Sequence, residues 1–334
     1  MKRRDFIKYT STFCGGMLLV GSSGCNTKNR ESVKFSFSSD IHKGTVPDAN
    51  ERLSSYLKKV EQLNLDFMID LGDFCLVSPE NRTFVDLWKA SPIEKYNVLG
   101  NHDMDYGDKE DFMAMVGMDK RYYSFDKGGV HFIVLDPNNL YVDGEYIPYA
   151  NANFYRSPSE RAFIDPPQLK WLKEDLKQTE KHSIVFSHQS FENPKACQNQ
   201  KVVRDIFEEA NREAGFNKVI AAFSGHNHTD YANEINGIHY VQINSMTASY
   251  VGSKYRCTTR YSKEINEKYP GIMDSCPYTD ALFAIVTIED GKLMIEGVES
   301  TFVQPGPEAV GLTDGTVHGL PLAAKISDRV LVYQ

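Results

Sequence analysis

Val33-Lys34-Phe35-Ser36-Phe37-Ser38-Ser39-Asp40-Ile41-His42 sets the pattern for the whole chain: a short apolar run that reads as a buried strand, ended by an aspartate and a histidine two residues apart. In extended chain, side chains two apart point to the same side, so Asp40 and His42 can grip one ion. Four further segments repeat the arrangement. Gly72-Asp73 follows the apolar run 67–71, Gly100-Asn101-His102-Asp103 follows 96–99, His188 follows 184–186, and Gly225-His226-Asn227-His228 follows 219–223. In open α/β sheets, loops leaving the strand C-termini converge on one edge while the sheet holds them rigid, so these side chains are expected to meet there. The glycines before Asp73, Asn101 and His226 are expected to allow tight, left-handed turns that double a side chain back over its strand tip.

Carboxylate, imidazole and carboxamide together suit Mn, Fe, Zn or Co better than an all-oxygen Mg or Ca site, and no motif cysteine points to a thiolate structural zinc. The expected product is a catalytic centre with open positions. The ordered set D-x-H, G-D, G-N-H-D, H, G-H-x-H resembles the signature of the calcineurin-like metallophosphoesterase superfamily, and no part of that signature is missing. The resemblance runs over about residues 33–303 and takes in softer features, Tyr122-Tyr123-Ser124-Phe125 before the run 130–136 and Pro167-Gln168-Leu169-Lys170-Trp171-Leu172.

That resemblance implies two divalent ions, with Asp40, His42 and His228 on one, Asn101, His188 and His226 on the other, and Asp73 bridging both. It further implies a metal-bridging hydroxide as the nucleophile that attacks phosphorus in line, with His102 as the acid that protonates the leaving oxygen or steadies the charged transition state. Leu76 stands where some family phosphatases carry an aspartate to orient that histidine, so the partner of His102 is open. The same residue occupies the place of the iron-binding tyrosine of purple acid phosphatases, which argues against a tyrosinate–iron site. Asp103 either orients the site or caps the chain after the turn. His131 and His239 lie inside apolar alternations and read as core or pleat-facing residues, while His182 and His318 read as ordinary surface or loop residues.

Alternation of strand and helix patterns early in the chain, then hairpin signals at Asn236-Gly237 and Asp290-Gly291, predict an α/β fold of two mixed β-sheets packed as a sandwich flanked by helices, the four-layer architecture of the family. Leu53, Tyr56, Leu57, Val60 and Leu63 form one helical stripe, and Val202, Val203, Ile206, Phe207 and Ala210 another. The 334 residues divide as an export signal (1–25), a catalytic domain (32–304) and a C-terminal extension packing on it (305–334). Lys2-Arg3-Arg4-Asp5-Phe6-Ile7-Lys8 resembles a twin-arginine signal. The apolar stretch after it is too short to span a bilayer, and Gly21-Ser22-Ser23-Gly24-Cys25 resembles a loose lipobox with Ser22 in the usual apolar place. The expected location is the periplasm or cell surface, with a membrane contact only through a lipid anchor at Cys25; cleavage by ordinary signal peptidase is the alternative.

Net charge is −8, and residues 1–24 carry four basic side chains against one acidic, so the remainder is more negative still. That balance disfavours nonspecific nucleic-acid binding, whereas bound metals would offset the field locally for a small phosphate ester. Cys257 and Cys276 read either as a bridge pinning the segment between them or as free buried thiols. Residues 249–279 show no clear helix or strand period. Their tyrosines, with Lys254, Arg256, Arg260 and Lys263, either stack a ring and grip a phosphate or form a solvated loop. Residues 138–167 are a second polar and aromatic candidate for a cleft wall. The activity implied is hydrolysis of phosphoric esters, a phosphodiesterase acting on small exported or environmental substrates. A phosphomonoesterase is the alternative, and a non-catalytic surface binding lipoprotein is disfavoured by the complete ligand set.

Overall fold

The computed structural model describes residues 32–334 apart from Pro194 and His318; the signal and lipobox expectations therefore lie outside the described residues, as does His318. Two six-stranded sheets face each other. The first runs, edge to edge, Arg329–Val332, Lys292–Gly297, Ala284–Glu289, Val33–Ser38, Phe67–Asp70, Lys95–Asn97. The second runs Tyr231–Ile235, Ile238–Gln242, Val219–Ser224, His182–Phe186, Val130–Val134, Tyr123–Lys127. Both sheets are mixed: the strands that lead into the signature segments pair in parallel, and antiparallel strands close every edge but that of Lys95–Asn97.

Alternation explains the sandwich. Phe35, Phe37, Phe67, Ile69, Phe132 and Val134 point between the sheets and form the central core, while Met68 and Ile133 point outward beneath helices. Phe35 stacks on Phe67 at 4.7 Å between ring centres and meets Phe132 and Phe186 of the other sheet edge-on. Helices Ala49–Val60, Arg82–Ala90 and Lys109–Val116 cover the first sheet, and Pro166–Gln178 and Gln200–Ala214 the second, giving the four expected layers. The two helical stripes are buried except at Ala210, which is half-buried, and at Leu63 and Val202, which are exposed. Both hairpins form, with Asn236 and Gly237 each at positive φ as a two-residue turn requires.

Register brings the signature to one height. Ser38, Asp70 and Asn97 are aligned across three strands, so Asp40, Asp73 and Asn101 leave the first sheet at the same edge. Phe186 and Phe223 are aligned in the second sheet, which delivers His188 and His226 to that edge from the other side.

Residues 249–279 differ from the sequence reading. They contain a short ladder pairing Ala248–Tyr250 with Ser275–Pro277, a helix Lys263–Lys268 and two 3-10 turns. Elements of three to six residues complete too little of a period to be read in a sequence. Cys257 and Cys276 are free, buried thiols, so no bridge pins this segment. Residues 138–167 likewise hold a hairpin, Asn139–Val142 with Glu145–Pro148.

Candidate metal centre

Two clusters of donors form at the shared edge: Asp40, His42 and His228 in one, Asp73, His188 and His226 in the other, the ligand atoms within each lying within 4.8 Å of one another. Each cluster draws on both sheets. His228 Nε2 lies 3.1 Å from Asp40 Oδ1 and 3.1 Å from His42 Nε2, so three lone-pair atoms converge on one point. Such convergence is repulsive unless positive charge sits among the atoms. Asp73 Oδ2 lies 3.0 Å from His188 Nε2 and 3.8 Å from His42 Nε2, between the two clusters, as a shared ligand must.

The surrounding chain turns these atoms inward. His188 Nδ1 bonds the Leu71 carbonyl and His228 Nδ1 the Ala248 carbonyl, which places the N–H there and leaves Nε2 as the inward lone pair. Asp40 Oδ2 accepts from Ser39 Oγ and the His226 N–H, and Asp73 Oδ1 from the His102 N–H, so each carboxylate keeps one oxygen for the centre. Asp40 Oδ1, Asn101 Oδ1 and His188 Nε2 are buried without a hydrogen-bond partner. Orphaned buried atoms are costly, and all three belong to the expected ligand set; the residues therefore fit a pair of divalent ions.

Electrostatics agree. Burial pushes His42 and His226 down to about 3, so both rings are neutral donors. Burial acts the same way on His188, but Asp73 and Asp40 reverse it and hold that ring up at about 10: the two carboxylates demand a positive charge at this spot. Asp40 is held below the usual carboxylate range, burial being outweighed by His228 and His188.

Backbone geometry marks the same residues. Asp40, His42, Asp73, His226 and His228 all have φ between +50° and +72°, a region few residues other than glycine adopt and one that clusters at functional sites. The expectation that the glycines supply the left-handed turns holds only for Gly72; Gly100 and Gly225 have ordinary φ and are small for another reason. A Cβ on Gly100 would lie 2.0 Å from the Asp73 nitrogen, and one on Gly225 1.9 Å from Ser39 Oγ. The ligands take the left-handed conformation themselves, while the glycines let the loops touch.

Asp103 resolves as a positioning residue. Its carboxylate, fully buried, accepts from the N–H groups of Gly100, Asp73, Phe74 and Cys75, tying the two ligand loops together. Burial and the charge of Asp73 push its carboxyl up, and the Gly100 N–H opposes this. Asp103→Ala leaves those donors buried and unsatisfied at roughly 1–3 kcal/mol each. The expected outcome is a loss of at least about 3 kcal/mol in denaturant unfolding, with metal affinity lowered about 10–100-fold as for lost support of a ligand loop.

The partner of His102 is Asp105, whose Oδ2 lies 2.8 Å from Nδ1; the missing aspartate at Leu76 is replaced by one three residues after the histidine. His102 and Asn101 line a cleft of about 320 Å³ that opens beside the centre. Both candidate walls contribute, Phe154 and Tyr155 from one and Tyr250 from the other, together with Arg161, Gln189 and Lys195, which the motif reading missed because they sit in no signature segment. The cations expected to grip phosphate do not reach it. Arg256 is paired to Asp274, Arg260 bonds the carbonyls of Pro305 and Ser275, Lys254 lies over Tyr255, and Lys263 pairs with Glu267.

The remaining described histidines lie outside the centre. His239 bonds the Val332 carbonyl, and His182, half-buried at the start of its strand, bonds that of Asn217. His131 is buried between Asp126 and Asp175, one carboxylate on each ring nitrogen. Burial alone would lower its pKa; the two carboxylates raise it above the ordinary value. A raised folded pKa means the clamp stabilises fully below the unfolded value near 6.5 and loses that contribution as pH rises through the folded one. Subtracting the pH–stability profile of His131→Asn from that of the wild type should leave a difference largest at acid pH and shrinking upward.

Comparison with known proteins places the centre in a family. Residues 33–230 match the model of the calcineurin-like phosphoesterases. Among solved structures, the fold is similar to a dimetal phosphatase from Danio rerio, at 13% identity and a TM-score of 0.57, covering 81% of this chain and 98% of that one. It is also similar to GAP50, the anchor in the inner membrane complex of Plasmodium, at 13% identity and a TM-score of 0.53, covering 91% and 89%. No curated protein matches the chain. The two structures are evidence of fold alone, whereas the matched stretch takes in every side chain of both clusters together with His102. On that match the chain belongs to the calcineurin-like phosphoesterase family and is a metal-dependent phosphoester hydrolase.

Proposed function

We propose that the protein is a phosphodiesterase acting on small esters, with Asp40, His42 and His228 holding one ion, Asn101, His188 and His226 the other, and Asp73 shared. The observation that carries this reading is the room beside His102: the cleft of about 320 Å³ has aromatic walls and exceeds what a phosphate group alone needs, so the organic part of the ester is gripped too. Ions bound there polarise the phosphoryl oxygens and lower the pKa of water. The chain's own residues do the rest. Asp105 fixes His102 through Nδ1 and leaves Nε2 to deliver a proton to the leaving oxygen. Phe154 packs edge-on against the His102 ring and restricts its swing. Turnover of bis-p-nitrophenyl phosphate against p-nitrophenyl phosphate, with Mn, Zn or Co, tests the assignment: a higher kcat/KM on the diester supports it, and a higher value on the monoester makes the protein a phosphomonoesterase.

The reading includes export and tethering at Cys25. Two or three acyl chains, at about 0.8 kcal/mol per buried methylene, hold a domain at a membrane surface, and none of the described helices is long and apolar enough to cross one. Full-length protein in its host is expected to fractionate with membranes and Cys25→Ala to release it. Wild type found soluble in the periplasm would mean simple secretion.

A further inference from the structure

Arg161 and Lys195 come from separate segments yet line the cleft that holds His102 and Asn101. Neither is in an ion pair among the described residues. The Arg161 guanidinium reaches only the Phe154 carbonyl, at 3.5 Å, and the adjacent Glu160 is taken by Arg156. In a chain of net charge −8 whose cations at Lys254, Arg256, Arg260 and Lys263 are engaged away from the cleft, two cations without an ion pair at one opening stand out.

A third group points the same way. Gln189 is 1% exposed and lines this cleft, and its Oε1 is buried without a partner. Its orientation is forced. Asn138 Nδ2 donates to the Leu99 carbonyl at 2.7 Å and to Asp136 Oδ1 at 3.0 Å, so Asn138 presents its oxygen to Gln189. Gln189 must answer with Nε2, at 2.7 Å, and the carboxamide oxygen is the atom left over. A buried acceptor with no donor is a cost unless a ligand supplies the N–H or O–H.

We propose that Arg161, Lys195 and Gln189 form a subsite for a second anionic group on the substrate: the esters preferred at this centre carry, besides the reacting phosphate, another negative charge near a hydrogen-bond donor. This rests on the phosphoester reading of the metal centre. The cations meet the second anion, Gln189 Oε1 accepts from the neighbouring donor, and Tyr155 and Tyr250 flank the organic part between. A carboxylate and a second phosphoryl group share this chemistry.

Binding of unreactive phosphonates to the metal-loaded protein, measured by calorimetry, separates the subsite from turnover. Ethylphosphonate has a neutral tail, carboxyethylphosphonate a carboxylate tail and ethylenediphosphonate a phosphoryl tail. Wild type should bind at least one anionic-tailed probe about tenfold or more tighter than ethylphosphonate, the difference expected of charge-assisted hydrogen bonds, and the tighter of the two names the source of the anion. In Arg161→Gln/Lys195→Gln that preference should fall to about threefold or less, with ethylphosphonate affinity unchanged, which shows that the variant is folded and its metal centre intact. Raising ionic strength should erode the preference in wild type alone. No preference in wild type, or an undiminished one in the double variant, overturns the subsite. Loss of hydrolysis on every ester with the preference intact would overturn the phosphodiesterase reading and leave the subsite standing.

Discussion

Asp73→Ala will hold one ion in place of two and lose about three orders of magnitude or more in kcat/KM, because the ions' charge stabilisation of the transition state is worth several kcal/mol at 1.4 kcal/mol per decade. The side chain is poised between both clusters, 3.0 Å from His188 Nε2 and 3.8 Å from His42 Nε2. Its other oxygen takes the His102 N–H, so the substitution also loosens the backbone at His102. Elemental analysis of metal-saturated protein reads the outcome directly. Wild type with a single ion, or a variant that keeps two, would show that the clusters are not a binuclear centre.

His102→Ala should lower kcat by roughly 10²–10⁴-fold, the range for general acid–base catalysis, while metal content stays at the wild-type value. The ring is not among the converging donors; its Nδ1 is occupied by Asp105. Burial would favour the neutral ring, but Asp73 and Asp105 raise its pKa, which keeps the proton available for a leaving oxygen. Asp105→Asn should therefore fall between wild type and His102→Ala, and the loss should be smaller on p-nitrophenyl esters, whose leaving group needs little protonation. Loss of metal from His102→Ala would mean that the histidine is a ligand.

What the sequence made legible and what it hid divide along a physical line. Strand ends that bear ligands announce themselves because a run buried on both faces must be apolar to its last residue, and a charged residue immediately after it has only the edge to occupy. Asp40, Asp73, His188 and His226 approximate that rule, each standing two or three residues after the last apolar residue of its run, with small serine or glycine residues between. Asp105 escaped because hydrogen-bond reach across a 3-10 turn depends on the turn forming, and an aspartate three residues on has several other uses. Arg161, Lys195 and Gln189 escaped because a cleft wall is assembled from distant segments with no shared period. The cations of residues 249–279 misled for the converse reason: composition shows a charge but not that Asp274 or a backbone carbonyl already claims it.

Each donor cluster takes ligands from both faces of the sandwich, Asp40 and His42 against His228, Asp73 against His188 and His226. Occupied, the clusters are two rivets across the seam between sheets that otherwise meet through an apolar core of aromatic and aliphatic side chains. Ions that bind only the folded chain stabilise it by mass action, about 2.7 kcal/mol for each at a hundredfold excess over its dissociation constant. Metal supply in the surroundings thus sets the melting temperature as well as the turnover, and a strong chelator acts on this molecule as a mild denaturant.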